Sequence, residues 1–222
     1  MKRLFRNLTF FALLLTSLLL LSLSVSAAQT SAGATDANYM VDTDSGTAYY
    51  STLAEAVAAV KDDGKITVLQ NVEGETGVAL TKTDGFTFTI TGGDSMKTIT
   101  FGTAATTGNT YTFLLKKGNV TFDNIEIKCT YTAGVKDSRI FHMTGNSNTD
   151  SGHALTLNNV KIDYHTAAEF YYMIWLHQTY DLVISGENTV LNAATAQLVR
   201  TNNATTYTSV SITGGTLTGF VL

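Results

Sequence analysis

The chain is 222 residues long, 44% apolar and 14% charged, with one cysteine, one tryptophan and no proline. A single cysteine, Cys129, excludes an intrachain disulfide framework, so stability has to come from packing and backbone hydrogen bonds. The net charge is −4; without the three basic residues of segment 1–28, 11 Lys and Arg face 18 Asp and Glu, a balance of −7 that repels phosphate backbones and excludes nucleic acid as a natural partner.

Lys2, Arg3 and Arg6 precede an apolar run from Leu8 to Val25, which ends in Ser26, Ala27 and Ala28. That order of charged, apolar and small residues predicts a secretory signal over 1–28, cleaved after Ala27 or Ala28. An uncleaved anchor is the alternative, since the run approaches the roughly 20 residues that span a bilayer. The expectation is a secreted or cell-surface protein that meets a membrane only through this leader. Residues 29–46 follow as a short N-terminal segment, and 47–222 form one domain rich in Thr, Val, Ile, Tyr and Phe, residues suited to strands.

One helix is predicted, from Leu53 to Lys61. Thr52 and Glu55 have capping-box spacing, Leu53, Ala56, Val57 and Val60 recur at helical intervals, and Asp62, Asp63 and Gly64 end the pattern.

Beyond the helix a five-residue pattern repeats: Phe88-Thr89-Ile90-Thr91-Gly92, Val120-Thr121-Phe122-Asp123-Asn124, Leu155-Thr156-Leu157-Asn158-Asn159, Leu182-Val183-Ile184-Ser185-Gly186 and Val210-Ser211-Ile212-Thr213-Gly214. Two apolar residues flank a mostly polar one, as in a strand with one buried face. The residue that closes each pattern, Gly92, Asn124, Asn159, Gly186 or Gly214, is of the kind that turns a backbone through positive φ. The irregular steps between copies fit solenoid coils whose strands are fixed and whose loops vary. Second strands follow at Ile125–Ile127 and Val160–Ile162. Third strands precede the next pattern at Phe113–Lys116, Ile140–Met143, Met173–His177 and Leu198–Thr201. Three strands per coil predict an all-β fold, a right-handed, three-sided parallel β-helix with one N-terminal capping helix. An antiparallel sandwich or propeller is the alternative, but hairpin dipeptides are sparse, Asp84-Gly85 being the clearest.

The segment Tyr50-Ser51-Thr52-Leu53-Ala54-Glu55-Ala56-Val57, then Gly64-Lys65-Ile66-Thr67-Val68-Leu69 and the repeated coils, resembles the opening of pectin-lyase-like β-helix proteins, particularly repeat domains of bacterial surface and adhesin-like proteins. The resemblance spans residues 47–222 and implies that Leu53, Val57 and Val60 cover the first coil. Its motifs specify architecture rather than activity. No matching cover follows Thr213-Gly214-Gly215-Thr216-Leu217, which predicts either a longer protein or a partner over that end.

Candidate chemistry is sparse. Cys129 sits in an alternating strand away from any His. His142, His153, His165 and His177 lack zinc-site spacing, and no cofactor or metal motif emerges. Calcium-dependent lyases of the resembled superfamily pair carboxylates with an Arg or Lys base; Asp123, Glu126 and Asp163 with Arg139 or Arg200 are the nearest set. Coil alignment instead makes Asp123 a corner residue above Asn158, and Glu126 a surface ion-pair partner of Lys161. The more suggestive set lies on the third strands. If Phe113, Leu115, Phe141, Met143, Ile174, Leu176 and Val199 face inward, Lys116, His142, Trp175, His177 and Arg200 face outward as one stacked row. A ring beside cationic donors suits a sugar and its acidic groups. A register off by one would bury Trp175 and His142 instead. The expected function is a non-catalytic β-helix module presenting a face to an extracellular carbohydrate or a surface protein; a polysaccharide-cleaving enzyme, lyase or glycosidase, and a structural stalk are the alternatives.

Overall fold

A computed structural model describes residues 36–103, 105–106, 110–130, 138–144, 153–163, 170–177, 180–202 and 209–221. The leader over 1–28 and His165 therefore lie outside the described residues. The chain enters through a hairpin, β1 (Tyr39–Thr43) and β2 (Gly46–Tyr50), followed by helix α1 (Leu53–Ala59). It then winds in coils. The first holds β3 (Gly64–Val68), β4 (Val72–Thr76) and β5 (Val78–Ala79); the second β6 (Thr87–Thr91), β7 (Lys97–Thr103), the short β8 (Ala105–Thr106) and β9 (Thr110–Leu115). The third holds β10 (Asn119–Asp123), β11 (Ile125–Cys129) and β12 (Ser138–Thr144); the fourth β13 (His153–Asn158), β14 (Lys161–Asp163) and β15 (Phe170–His177). In the fifth, β16 (Tyr180–Ser185) is followed by the long β17 (Val190–Asn202), and β18 (Val210–Ile212) and β19 (Thr216–Val221) close the described chain.

Apart from β1, β2 and β8, the described strands pair in parallel with their counterparts one coil away, which makes the molecule a parallel β-solenoid. The first ladder runs β3, β6, β10, β13, β16, β18; the second β4, β7, β11, β14; the third β5, β9, β12, β15; and β17 is long enough to join the second and third. The repeated pattern aligns residue on residue: Phe88, Val120, Leu155, Leu182 and Val210 form one row, and Ile90, Phe122, Leu157, Ile184 and Ile212 the next. Through Leu182 and Ile184 these rows are buried, and with Phe101, Phe113, Phe141 and Ile174 they make one continuous core. Parallel sheets, with antiparallel pairing among the described residues confined to that of β1, β2 and β8, replace the sandwich alternative.

The corners differ from expectation at two positions. Asn124, Asn159 and Gly186 take positive φ (54°, 51° and 83°), but in the other two corners the left-handed residue is Gly93 (70°) or Gly215 (92°), one place after Gly92 or Gly214. Gly92 is small for another reason: a Cβ there would lie 2.3 Å from the Asn124 carbonyl oxygen of the next coil. Beside the corners a polar stack climbs from coil to coil. Thr91 Oγ1 donates to Asp123 Oδ2 (3.2 Å), Asn158 Nδ2 to Asp123 Oδ1 (2.7 Å) and Ser185 Oγ to Asn158 Oδ1 (3.1 Å).

At the N-terminal end the capping box is present: Thr52 Oγ1 accepts from the Glu55 N–H and Glu55 Oε2 from the Thr52 N–H, both at 3.3 Å. Leu53, Ala56 and Val57 pack onto the core. The helix stops at Ala59, short of Lys61, because Val60 is extended and the Lys61 N–H is taken by the Asp42 carbonyl of β1 (3.0 Å). The hairpin extends the first ladder, β1 lying antiparallel to β3 with Tyr39 opposite Val68. Glu75 ties these pieces together. Buried at 8% exposure, its Oε1 accepts from the Tyr39 hydroxyl (2.7 Å) and the Leu53 N–H (3.1 Å). Burial first, and then the adjacent Glu75 charge and hydrogen bond, push the Tyr39 phenol far above its ordinary value.

The two corner glycines should respond differently. Gly92→Ala should destabilise by about 2 kcal/mol or more, because the added methyl meets backbone. Gly93→Ala, with nothing within 4 Å of its Cβ, should lose only about 1 kcal/mol from the left-handed conformation. Urea denaturation of both variants checks the order.

Candidate functional site

On β9, β12, β15 and β17 the backbone register places Leu114, His142, Trp175 and Arg200 in one row, and Tyr111, Arg139, Tyr172 and Gln197 in another. Between the rows two successive residues on each strand are buried: Ile140 and Phe141, Met173 and Ile174, Leu198 and Val199. Both members of each pair belong to the hydrophobic core, where strict alternation would turn only one of them inward, a departure of the kind a bend in the strand produces. Arg139 and His142, three apart, consequently lie on the same side of the strand, as do Tyr172 and Trp175. Phe113, Leu115, Phe141, Met143, Ile174, Leu176 and Val199 are each 0–1% exposed, the core side of these strands.

The outer side chains touch one another. The His142 imidazole stacks on the Trp175 indole with centroids 4.8 Å apart and planes 9° apart. The Arg139 guanidinium lies 3.7 Å above the same indole and 5.9 Å from the Tyr172 ring. Arg200, from the following coil, covers Tyr172 at 4.7 Å and donates from Nη1 to its hydroxyl. Tyr111 meets His142 edge to face at 6.1 Å. Arg139, His142 and Tyr111 are buried, whereas Trp175, Tyr172 and Arg200 are half-buried and form the accessible part. Arg139 and Arg200 are the two arginines of the chain beyond residue 28, and Trp175 is its single tryptophan. Among the described residues no carboxylate forms a salt bridge with Arg200. The cluster is thus a cationic, aromatic spot on an acidic chain, and planar guanidinium donors beside rings suit a planar anion carried on an apolar ring.

The expected single row of five residues becomes two. His142, Trp175 and Arg200 share one; His177 pairs with Thr144 and Asn202, two residues further along. Lys116 follows the end of β9 at Leu115 and is half-buried, also beyond that row. Arg139 and Tyr172, which complete the contact network, were not grouped with the row from sequence because the bend breaks the period of two. The signal was nevertheless present in the paired apolar residues Ile140-Phe141 and Met173-Ile174.

Of the three carboxylates considered for a lyase site, Asp123 and Glu126 have side-chain partners in the fold, and Asp163 is placed by its backbone alone. Asp123 is held in the polar stack described above. Glu126 Oε1 meets Lys161 Nζ at 3.0 Å, and its Oε2 meets Lys128 Nζ at 3.4 Å and the Thr98 hydroxyl at 2.8 Å. Asp163 pairs with Asn192 along the backbone ladder. His153 is interior: its Nδ1 accepts from the Gly118 N–H (3.1 Å) and its Nε2 lies 3.6 Å from Asp84 Oδ1. Cys129 is half-buried, with Sγ 3.4 Å from the Thr112 hydroxyl. Among the described residues no group of three His, Cys, Asp or Glu is placed to hold a metal ion.

Comparison of the chain with protein-family models, with curated proteins and with solved structures gives no match.

Burial alone would raise the Glu126 carboxyl, but the hydrogen bonds with Thr98 and Lys161 and the charges of Lys128 and Lys161 outweigh it and hold the group below its ordinary value of 4.5. A carboxyl lowered by folding stabilises the fold above its unfolded value, and that contribution is lost as pH falls through the lowered folded value. Glu126→Gln should therefore cost up to about 1 kcal/mol at neutral pH. The variant and the unmodified chain should converge in urea stability as pH falls below that lowered value.

Proposed function

We propose that the chain is a non-catalytic β-solenoid module acting outside the cell, secreted or held at the surface, and that it binds an acid-bearing carbohydrate through the accessible part of the Arg139–His142–Tyr172–Trp175–Arg200 cluster. The leader pattern of residues 1–28 supports the compartment. The observation that carries the ligand class is the convergence of two arginines and the lone tryptophan on one outer face of an otherwise acidic chain. A half-buried guanidinium can give paired N–H donors to a carboxylate or sulfate, while the neighbouring rings offer apolar area to the sugar. The three ladders per coil and the capping helix support reading the solenoid as a pectin-lyase-like β-helix, and a right-handed winding is what the strong preference of parallel crossovers favours. That likeness bears on architecture; the ligand rests on the cluster.

The lone tryptophan makes its own emission a reporter. Titration with an acidic oligosaccharide such as an oligouronate should shift or quench Trp175 fluorescence, weaken as salt is raised, and fail with an uncharged oligosaccharide of equal length. Arg200→Gln and Trp175→Ala should each weaken binding by about tenfold or more, equivalent to about 1.4 kcal/mol, with an unchanged circular dichroism spectrum. If neither sugar class binds the folded chain, the stalk reading takes its place. Release of new reducing ends or unsaturated products would move the chain to the polysaccharide-cleaving alternative.

A further inference from the structure

In the second ladder the first coil departs from its successors. From Val72 to Glu75, β4 takes three steps where β7 takes two, since their partners are Ile99 and Phe101. The extra residue makes a bulge, and Gly74 within it takes a φ of 76°, a conformation that side chains resist. Val72 and Glu75, three apart, are both buried as a result, while Glu73 is exposed.

A carboxylate turned inward needs donors. Glu75 has them on one oxygen: Oε1 accepts from the Tyr39 hydroxyl and the Leu53 N–H. Oε2 receives none among the described residues, although Glu75 is only 8% exposed. Glu75 lines a cavity of about 360 Å³ between β4 and the turn that leads into α1, and Oε2, which is not sealed from solvent, opens there. Pockets of roughly 300–1,000 Å³ hold small ligands.

The lining is acidic. Glu73 contributes to it as well, and no Lys, Arg or His does. Neither Glu73 nor Glu75 forms a salt bridge among the described residues. Val72 and Ala54 add apolar surface. An ionised carboxylate only accepts hydrogen bonds, so the occupant has to donate them, and two carboxylates without a counter-charge favour a donor that is also a cation. A metal ion fits less well, because no group of three His, Cys, Asp or Glu is placed to hold one among the described residues. An ammonium group concentrates its donors on a compact charge, and a short carbon stem behind it matches the apolar part of the lining.

We infer that this cavity is a binding site separate from the Arg139–Arg200 cluster, and that it takes an ammonium group on a short carbon chain. Glu75 Oε2 is the principal acceptor and Glu73 supplies the second charge. A free amine and a lysine side chain present the same chemistry.

The Leu53 N–H donates to the same carboxylate, so its NMR resonance reports occupancy. Titration with butylamine or with acetyl-lysine amide should shift the Leu53 amide signal saturably, and butanol should not. In Glu75→Gln the amide oxygen can keep the Tyr39 and Leu53 hydrogen bonds, which leaves an NH2 donor facing the cavity. Amine affinity should then fall by about tenfold or more with unchanged circular dichroism. Glu73→Gln, at an exposed site, should weaken binding about threefold and decides the matter if Glu75→Gln does not fold. Tighter binding of acetyl-lysine amide points to a lysine-bearing partner and tighter binding of butylamine to a free amine; either supports the inference. It is overturned if neither amine shifts the signal, if butanol binds as well as butylamine, or if the folded variants bind amines as the unmodified chain does. Calcium binding at these carboxylates in preference to the amines would assign the cavity to a metal ion and overturn it as well.

Discussion

Parallel hydrogen bonding between successive coils sets like positions about 4.8 Å apart along each ladder, and this spacing governs what the sequence can place where. Apolar residues gain from stacking on their own kind. Phe88, Val120, Leu155 and Leu182 accordingly form a dry column, and Phe113, Phe122 and Phe141 meet at 5.0–5.4 Å in edge-on and stacked pairs. Charges cannot follow the same rule, because like charges at that separation repel. On the outer rows each charge therefore meets something different one coil on: Glu126 lies beside Lys161, and Asp123 beside Asn158. The Arg139 cluster obeys the same constraint. Its two arginines lie two coils apart, and the layer between them is Tyr172 and Trp175, whose ring faces attract cations from either side.

A ladder that satisfies its backbone only through the next coil is left with two unsatisfied ends. The N-terminal end is closed by an antiparallel hairpin, which pairs the edge of β3, and by a helix, which covers the core. What holds the two in mutual register is a single buried carboxylate. Glu75 comes from the second ladder yet accepts hydrogen bonds from a β1 side chain and an α1 backbone amide, so hairpin, helix and first coil close as one unit. A buried carboxylate is tolerable there because it receives donors from both sides. At the far end the same physics has no comparable answer within the described residues, and apolar rows reach solvent.

How far the sequence disclosed this follows from which interactions are local. The five patterned strands were legible because each carries both its apolar pair and its corner within five residues, and the structure aligns them without slip. The coil before them was read only as part of the opening, since Gly64 occupies the place of Phe88 and removes the first apolar member of the pattern. Hairpin β1–β2 left a trace in the Asp44-Ser45 turn between alternating strands, but its pairing with β3 depends on residues more than twenty positions away. Gly92 was identified as a corner residue for the wrong reason: its constraint is the carbonyl of the following coil, which no local pattern contains. The site was half legible. His142, Trp175 and Arg200 followed from alternation, whereas Arg139 and Tyr172 join them only because a bend brings residues three apart to one side.

That bend also changes what each member of the cluster can contribute. Arg139 and His142 both come from β12, the strand preceding Trp175, and both lie over its indole, so that side of the ring is committed to holding the cluster together. Arg139, at 4% exposure, is stabilised by the rings on which it lies rather than by water. The tryptophan is accordingly better suited to positioning than to serving as a bare platform. The groups that reach outward are the half-buried Arg200 and Tyr172, coupled through the tyrosine hydroxyl. Recognition built in this way would favour a ligand that supplies an anion to the guanidinium and only an edge to the rings. Affinity would then follow the charge of the sugar more closely than its stacking area, since a charge-assisted hydrogen bond from a preorganised, partly desolvated guanidinium contributes more than the same contact made in open water.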